Sequence, residues 1–229
     1  MKTVIGMAKI NLKHSKTAYW VAGIGFALAS INYILSITID NSGSETVALG
    51  NYFYLIPLCL SVFTPAQNFS KLMNLGGKRM DFFKSSLLAY ATAAAAASLA
   101  SIAISLSIDK WMVLHGKING VLDILNVYGF MARGPAAAFF QMTAFLLLAA
   151  CAAHTLTLIQ GHWYGWLADA MIAAIISVFT PIAPLRAALA WFFNMIIFHD
   201  IAAVQIVSCL ALGAAIYCAG LVPIKSKQI

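Results

Sequence analysis

Charge is scarce in this sequence: 9% of its 229 residues are charged and 62% are hydrophobic. An ordinary soluble domain has no use for that much apolar surface, which points to a polytopic membrane protein. Paired cysteines are also missing. Cys59, Cys151, Cys209 and Cys218 each fall inside an apolar segment, without a C-x-x-C pair or a companion histidine cluster. They read as small core side chains rather than disulfides or metal ligands. The chain lacks G-x-x-x-x-G-K-[ST], H-E-x-x-H and G-x-S-x-G. Gly76-Gly77-Lys78 fails as a phosphate loop, since Leu72 stands where the first glycine belongs and Arg79 where Ser or Thr must follow. The expectation is therefore a chain that is not an enzyme and holds no cofactor or metal of its own. No low-complexity linker divides it, so residues 1–229 form one membrane domain.

What is present is a series of long apolar runs. About 20 apolar residues cross the hydrocarbon of a bilayer. The pattern predicts an all-α chain with six transmembrane helices, over about 19–39, 51–68, 86–108, 135–159, 167 to 181 or 184, and 201–224. Lys2, Lys9, Lys13 and Lys16 recur at helical spacing opposite Val4, Met7 and Ala8, so 1–16 reads as an interfacial helix. The first apolar run is too long for a cleaved signal, which makes it a retained span. Residues 40–50 are polar and read as an outside loop. Val121, Ile124, Leu125 and Tyr128 suggest a short amphipathic helix, and Pro135 suits the first turn of the fourth span. Residues 161–166 form an aromatic interfacial turn. The piece over 187–199 is too short to cross and reads as a re-entrant or outer-leaflet segment between helices five and six.

Orientation follows from the basic residues. With the N-terminus inside, the inner segments hold Lys2, Lys9, Lys13, Lys16, Lys71, Lys78, Arg79, Lys84, Lys225 and Lys227. The outer ones hold Lys110, Lys117, Arg133 and Arg186. This bias places both termini in the cytoplasm and the protein, multi-pass, in the cell membrane. The net charge of +7 is explained by these loops and implies no nucleic acid.

Between the second and third spans lies the basic stretch 71–84, containing Leu75-Gly76-Gly77-Lys78-Arg79-Met80-Asp81-Phe82-Phe83-Lys84. On physics alone it can be a topology-fixing loop or a surface-lying segment. Leu75-Gly76-x-x-Arg79-x-x-Phe82-Phe83 resembles the coupling-helix loop of type-2 ABC exporter permeases, and its place in a six-span layout strengthens the resemblance. The resemblance implies that Leu75, Gly76, Arg79, Asp81, Phe82, Phe83 and Lys84 dock on a separate ABC ATPase subunit, present in two copies and carrying ATP and Mg. It also implies a second permease protomer, identical or not, and a cavity lined by helices two and five. The short turn at 161–166 departs from the family in offering little second docking surface.

Polar residues inside spans are the remaining candidates. Thr64, Gln67 and Asn68 cluster beside Pro65 on span two. Ser177 and Thr180 flank Phe179 before Pro181 on span five. With Phe63, these seven residues are either a substrate pathway or helix–helix hydrogen bonds near proline kinks. The pentapeptide Ser-Val-Phe-Thr-Pro occurs at both 61–65 and 177–181, without further alignment around it. His154 reads as a neutral histidine bonded across a helix pair, and Asp169 as an acid near a helix N-terminus. The leading reading is an exporter permease for an amphipathic or hydrophobic substrate, peptide or lipid-like. The alternative is a membrane scaffold or sensor that recruits a soluble partner through its basic loop.

Overall fold

The computed structural model describes residues 2–38, 45–115, 120–160 and 162–226. Helix α1 (Lys2–His14) meets α2 (Lys16–Thr38) at Ser15, whose hydroxyl donates to the Asn11 carbonyl at 2.7 Å. After strand β1 (Glu45–Val47), a 3₁₀ entry at Leu49–Tyr54 leads into α3 (Leu55–Phe63), a π-helical segment at Thr64–Asn68 and α4 (Phe69–Asn74). Helix α5 (Arg79–Ile104) runs through a second π segment, Ser105–Asp109, into α6 (Lys110–His115). Strand β2 (Gly120–Leu122), α7 (Ile124–Val127) and α8 (Pro135–Ile159) follow. Next come α9 (Trp163–Ala174) with π segment Ile175–Phe179, and α10 (Ala183–Phe193) with π segment Asn194–Phe198. Helices α11 (Ala202–Ala219) and α12 (Leu221–Ser226) close the chain.

Five of these paths are long and apolar enough to cross a membrane: 16–35, 49–74, 79–109, 135–159 and 202–224. The segments 163–179 and 183–198 form a pair bent by 116° and make a sixth span only if counted together. The third path begins seven residues before the expected 86, because Arg79 through Ser85 already wind as its first turns. The described residues bear out the all-α expectation but for one short strand pairing. β1 and β2 pair in parallel with Thr46 opposite Val121. Both strands lie outside the apolar paths, where Asn51 bridges to the second strand by donating to the Leu122 carbonyl at 2.9 Å. The amphipathic segment expected over 121–128 divides into β2 and the one-turn α7. Lys117, Gly161 and the polar stretch 40–44 lie outside the described residues.

Along most of α2 and the middle of α5, packing follows the rule for helices in an apolar solvent, with small residues turned inward, while Phe69, Phe82, Tyr90 and Tyr217 fill the core elsewhere. Helix α2 buries Ala18, Ala22, Ala29 and Tyr33 while exposing Trp20, Ile24, Leu28, Ile31 and Leu35. Helix α5 buries Ala93, Ala94, Ala97, Ser98 and Ser101. Close approach is strict at Gly50, where an added Cβ would stand 2.7 Å from the Ser101 hydroxyl, and tight at Gly213, 3.3 Å from Leu148 Cα. Helices α3, α5, α8 and α11 form the body, and α1 lies along α5 with Met7, Ala8, Asn11 and Ser15 turned inward.

The body has two chemically distinct ends. One gathers α1, the α4–α5 turn, the α8–α9 turn and α12, with Gly220 against Thr155 and Leu158. The other is capped by β1, β2, α6 and α7, and Arg133 ties it to the start of α11 by donating to the His199 carbonyl at 2.7 Å. The bent pair α9–α10 is mostly exposed between Trp166 and Trp191, and its second arm returns to the body at Phe192, Ile196 and Ile197.

Candidate functional site: the α4–α5 turn

Helix α4 ends in a Schellman arrangement. The Gly77 amide donates to the Leu72 carbonyl at 3.0 Å and the Gly76 amide to the Met73 carbonyl at 2.9 Å. Gly76 adopts φ +81°, where a side chain is strained. An added Cβ on Gly77 would come within 2.7 Å of the Leu72 carbonyl oxygen. Lys78 is extended and starts α5, and Asp81 in its first turn complements the helix dipole. The two glycines are thus required by the turn itself. Leu75 sits at its apex, 81% exposed.

The seven residues expected to dock on a partner divide into two groups. Leu75, Gly76 and Lys84 are exposed, and Asp81 is half-buried beside Lys78. With Thr3, Met7 and Ile10 of α1, Leu75, Gly76, Lys78 and Asp81 line a groove of about 340 Å³. The other group faces the body. Phe82 is fully buried and meets Phe69 edge-on at 5.2 Å. Phe83 is buried and stacks on Tyr217 at 4.1 Å, while the Tyr217 hydroxyl donates to the Phe83 carbonyl at 2.7 Å. Arg79 is half-buried and donates to the Ile224 carbonyl at 3.3 Å. These three side chains fasten the turn to α4, α11 and α12, so the aromatic pair is an internal anchor and not an exposed docking surface.

The span-two cluster also faces the chain itself. Thr64 is fully buried beside Pro65 in the π segment, and Phe63 is half-buried. Asn68 donates to the Ser15 hydroxyl at 3.3 Å, and Gln67 accepts from Thr17 at 3.3 Å. Both amides therefore hold the α1–α2 junction. On span five, Ser177 and Thr180 are exposed, and the Thr180 hydroxyl donates back to the Ile176 carbonyl at 2.7 Å. Phe179 lines an apolar groove of about 530 Å³ with Ile172, Ile176, Leu189 and Phe192, between the two arms of the bent pair. Within one chain the two clusters face different surroundings, one against the α1–α2 junction and the other on the bent pair.

His154 is fully buried, and its Nδ1 lies 2.7 Å from the Tyr90 hydroxyl across α5 and α8. Its ring also faces Tyr217 at 5.0 Å. This is the interhelical bond expected of it. Asp169 accepts from the Gln160 amide at 3.0 and 2.9 Å and steadies the α8–α9 turn. Two residues carried no functional weight in the sequence: Asp109, at the end of a span, and Asp123, in a loop. Both are buried, lining one cavity at the capped end.

No family model matches the chain, and neither a curated protein nor a solved structure does.

Proposed function

We propose that the chain is the transmembrane permease subunit of an ATP-driven exporter, working as a dimer of permease protomers with two ABC ATPase subunits. The α4–α5 turn carries this reading. An exposed apex, Leu75, is clamped by a glycine cap on one side and by Phe82, Phe83 and Arg79 on the other. A push on Leu75, Lys78, Met80 or Lys84 would pass through that buried pair to α4 and α11 rather than bend a loose loop. Contact with the ATPase falls to the exposed residues, and the aromatic pair transmits the push.

In the same reading, the chain makes six spans with both termini in the cytoplasm, α1 lies along the inner surface, and 187–199 is the re-entrant or outer-leaflet segment. The apolar outer faces of α2 and of the bent pair are available to lipid and to the second protomer. The groove lined by Phe179 suits an amphipathic or hydrophobic cargo better than a sugar, which needs matched hydroxyl partners. The test is purification of the full chain from its native membrane in mild detergent, followed by ATP hydrolysis measured on copurifying polypeptides. An ATPase should copurify and be lost from Leu75→Asp. Retention by that variant would remove the turn from the interface, and the absence of any ATPase from intact preparations would favour the scaffold.

A further inference from the structure

At the capped end, a cavity of about 380 Å³ is lined by Ser105, Asp109, Lys110, Asp123, Asn126 and neighbouring apolar side chains. Both acids are withdrawn from water, Asp109 at 4% and Asp123 at 2% exposure. Asp123 caps α7, accepting from the Leu125 amide at 3.0 Å, the Ser105 hydroxyl at 2.6 Å and the Asn126 amide at 3.2 Å. Asp109 is only half satisfied. Its Oδ1 accepts from the Tyr33 hydroxyl at 2.8 Å, and the Leu49 amide faces the same carboxylate. Its Oδ2 is buried without a hydrogen-bond partner among the described residues. An ionised oxygen in that position is costly unless a cation or a proton meets it.

We propose that Asp109 and Asp123, with the oxygens of Ser105 and Asn126, bind one hard divalent cation at the capped end, Ca²⁺ being the best fit. Two carboxylates with hydroxyl, amide and water oxygens match the loose coordination that Ca²⁺ accepts, whereas Mg²⁺ demands a strict octahedron. Two charges only, with Lys110 on the cavity wall, make the site weak, on the order of 10⁻⁴–10⁻³ M. The bound ion ties α2, through Tyr33, to the end of α5 and to α7. None of this depends on the exporter reading.

The test uses the full chain in nanodiscs, with thermal unfolding and ⁴⁵Ca²⁺ equilibrium binding measured as CaCl₂, MgCl₂ or NaCl is added. One Ca²⁺ per chain should bind and raise the unfolding temperature, with MgCl₂ weaker and NaCl inert at matched ionic strength. Asp109→Asn should abolish both responses, and Asp169→Asn should keep them. If Asp109→Asn does not fold, Tyr33→Phe serves in its place, weakening binding by about tenfold because it releases the carboxylate's orienting partner. Lys110→Gln should tighten binding. Three results overturn the proposal: no Ca²⁺ response in the native chain, a response unchanged in both Asp109→Asn and Tyr33→Phe, or destabilisation by Lys110→Gln without a Ca²⁺ response. The last would make Lys110 the counter-ion, and an Asp109→Asn chain stabler than the Ca²⁺-indifferent native one would show an acid held by a proton.

Discussion

At the scale of single residues, neighbours in sequence have opposite duties. Phe82 is fully buried and Lys84 is exposed two positions on. Phe82→Ala should cost about 3–5 kcal/mol, as large-to-small changes in packed cores do. Lys84→Ala should stay within about 0.5 kcal/mol. Unfolding midpoints of the purified variants check both, and equal losses would mean that Phe82 is not packed as described. If the turn docks on an ATPase as proposed, the order should reverse there: Leu75→Asp and Lys84→Glu should weaken retention directly. Phe82→Leu, which keeps apolar volume, should retain the partner while weakening the coupling of ATP hydrolysis to transport. Tyr217→Phe should lose about 1 kcal/mol with its hydrogen bond to the Phe83 carbonyl.

At the scale of elements, the two ends of the body invite a topology measurement. Single cysteines at Lys78 and Trp163 should resist an impermeant thiol reagent in sealed cells, whereas one at Lys110 should react. Labelling of position 78 from outside would invert the orientation. The long apolar runs were legible because a bilayer demands length before anything else, and Pro135–Ile159 appears with the bounds read from the sequence. Start positions were less legible where charge and apolar residues mix. Arg79, Asp81 and Lys84 suggested a loop, yet all three belong to a helix whose Phe82 and Phe83 face inward, with Lys84 exposed and Arg79 turned to the Ile224 carbonyl. The direction of Phe82 depends on Phe69, and that of Phe83 on Tyr217, far along the chain. No local pattern encodes such pairs. Asp109 was invisible for the same reason, since its partner Tyr33 lies on another helix. The break at Ser15 was also hidden, because the lysine spacing continues through it to Lys16.

At the scale of the whole molecule, the bent pair is an incomplete structure in a lone chain. Trp166, Leu167, Met171, Ile172 and Ile176 are all exposed on its first arm. If a second protomer covers this arm, a cysteine at Ile176 should cross-link chains in native membranes, and Ile176→Arg should reduce the dimer fraction several-fold. Loss of cross-linking without loss of dimer would place the contact elsewhere. Cargo class is tested at this scale too. If the chain is an exporter permease as proposed, the complex reconstituted with its ATPase should be stimulated in ATP hydrolysis by amphipathic peptides or lipids and not by polar sugars. Stimulation by sugars alone would show that the groove at Phe179 is not the cargo wall.

The π segment at Thr64–Asn68 bears on how the chain tolerates a change in its length. A π turn accommodates one residue beyond the α-helical count, so the helix beyond it keeps its face towards the body. Deleting one residue inside 64–68 would let the turn relax to α-helix, with Phe69 and Leu72 still pointing inward. The same deletion two turns earlier, at Leu58, has no spare residue to absorb it. It would rotate the turns before Leu58 relative to those after it by about 100° and turn one of the two faces to lipid. The span therefore has a place where a codon can be lost and a neighbouring stretch where it cannot.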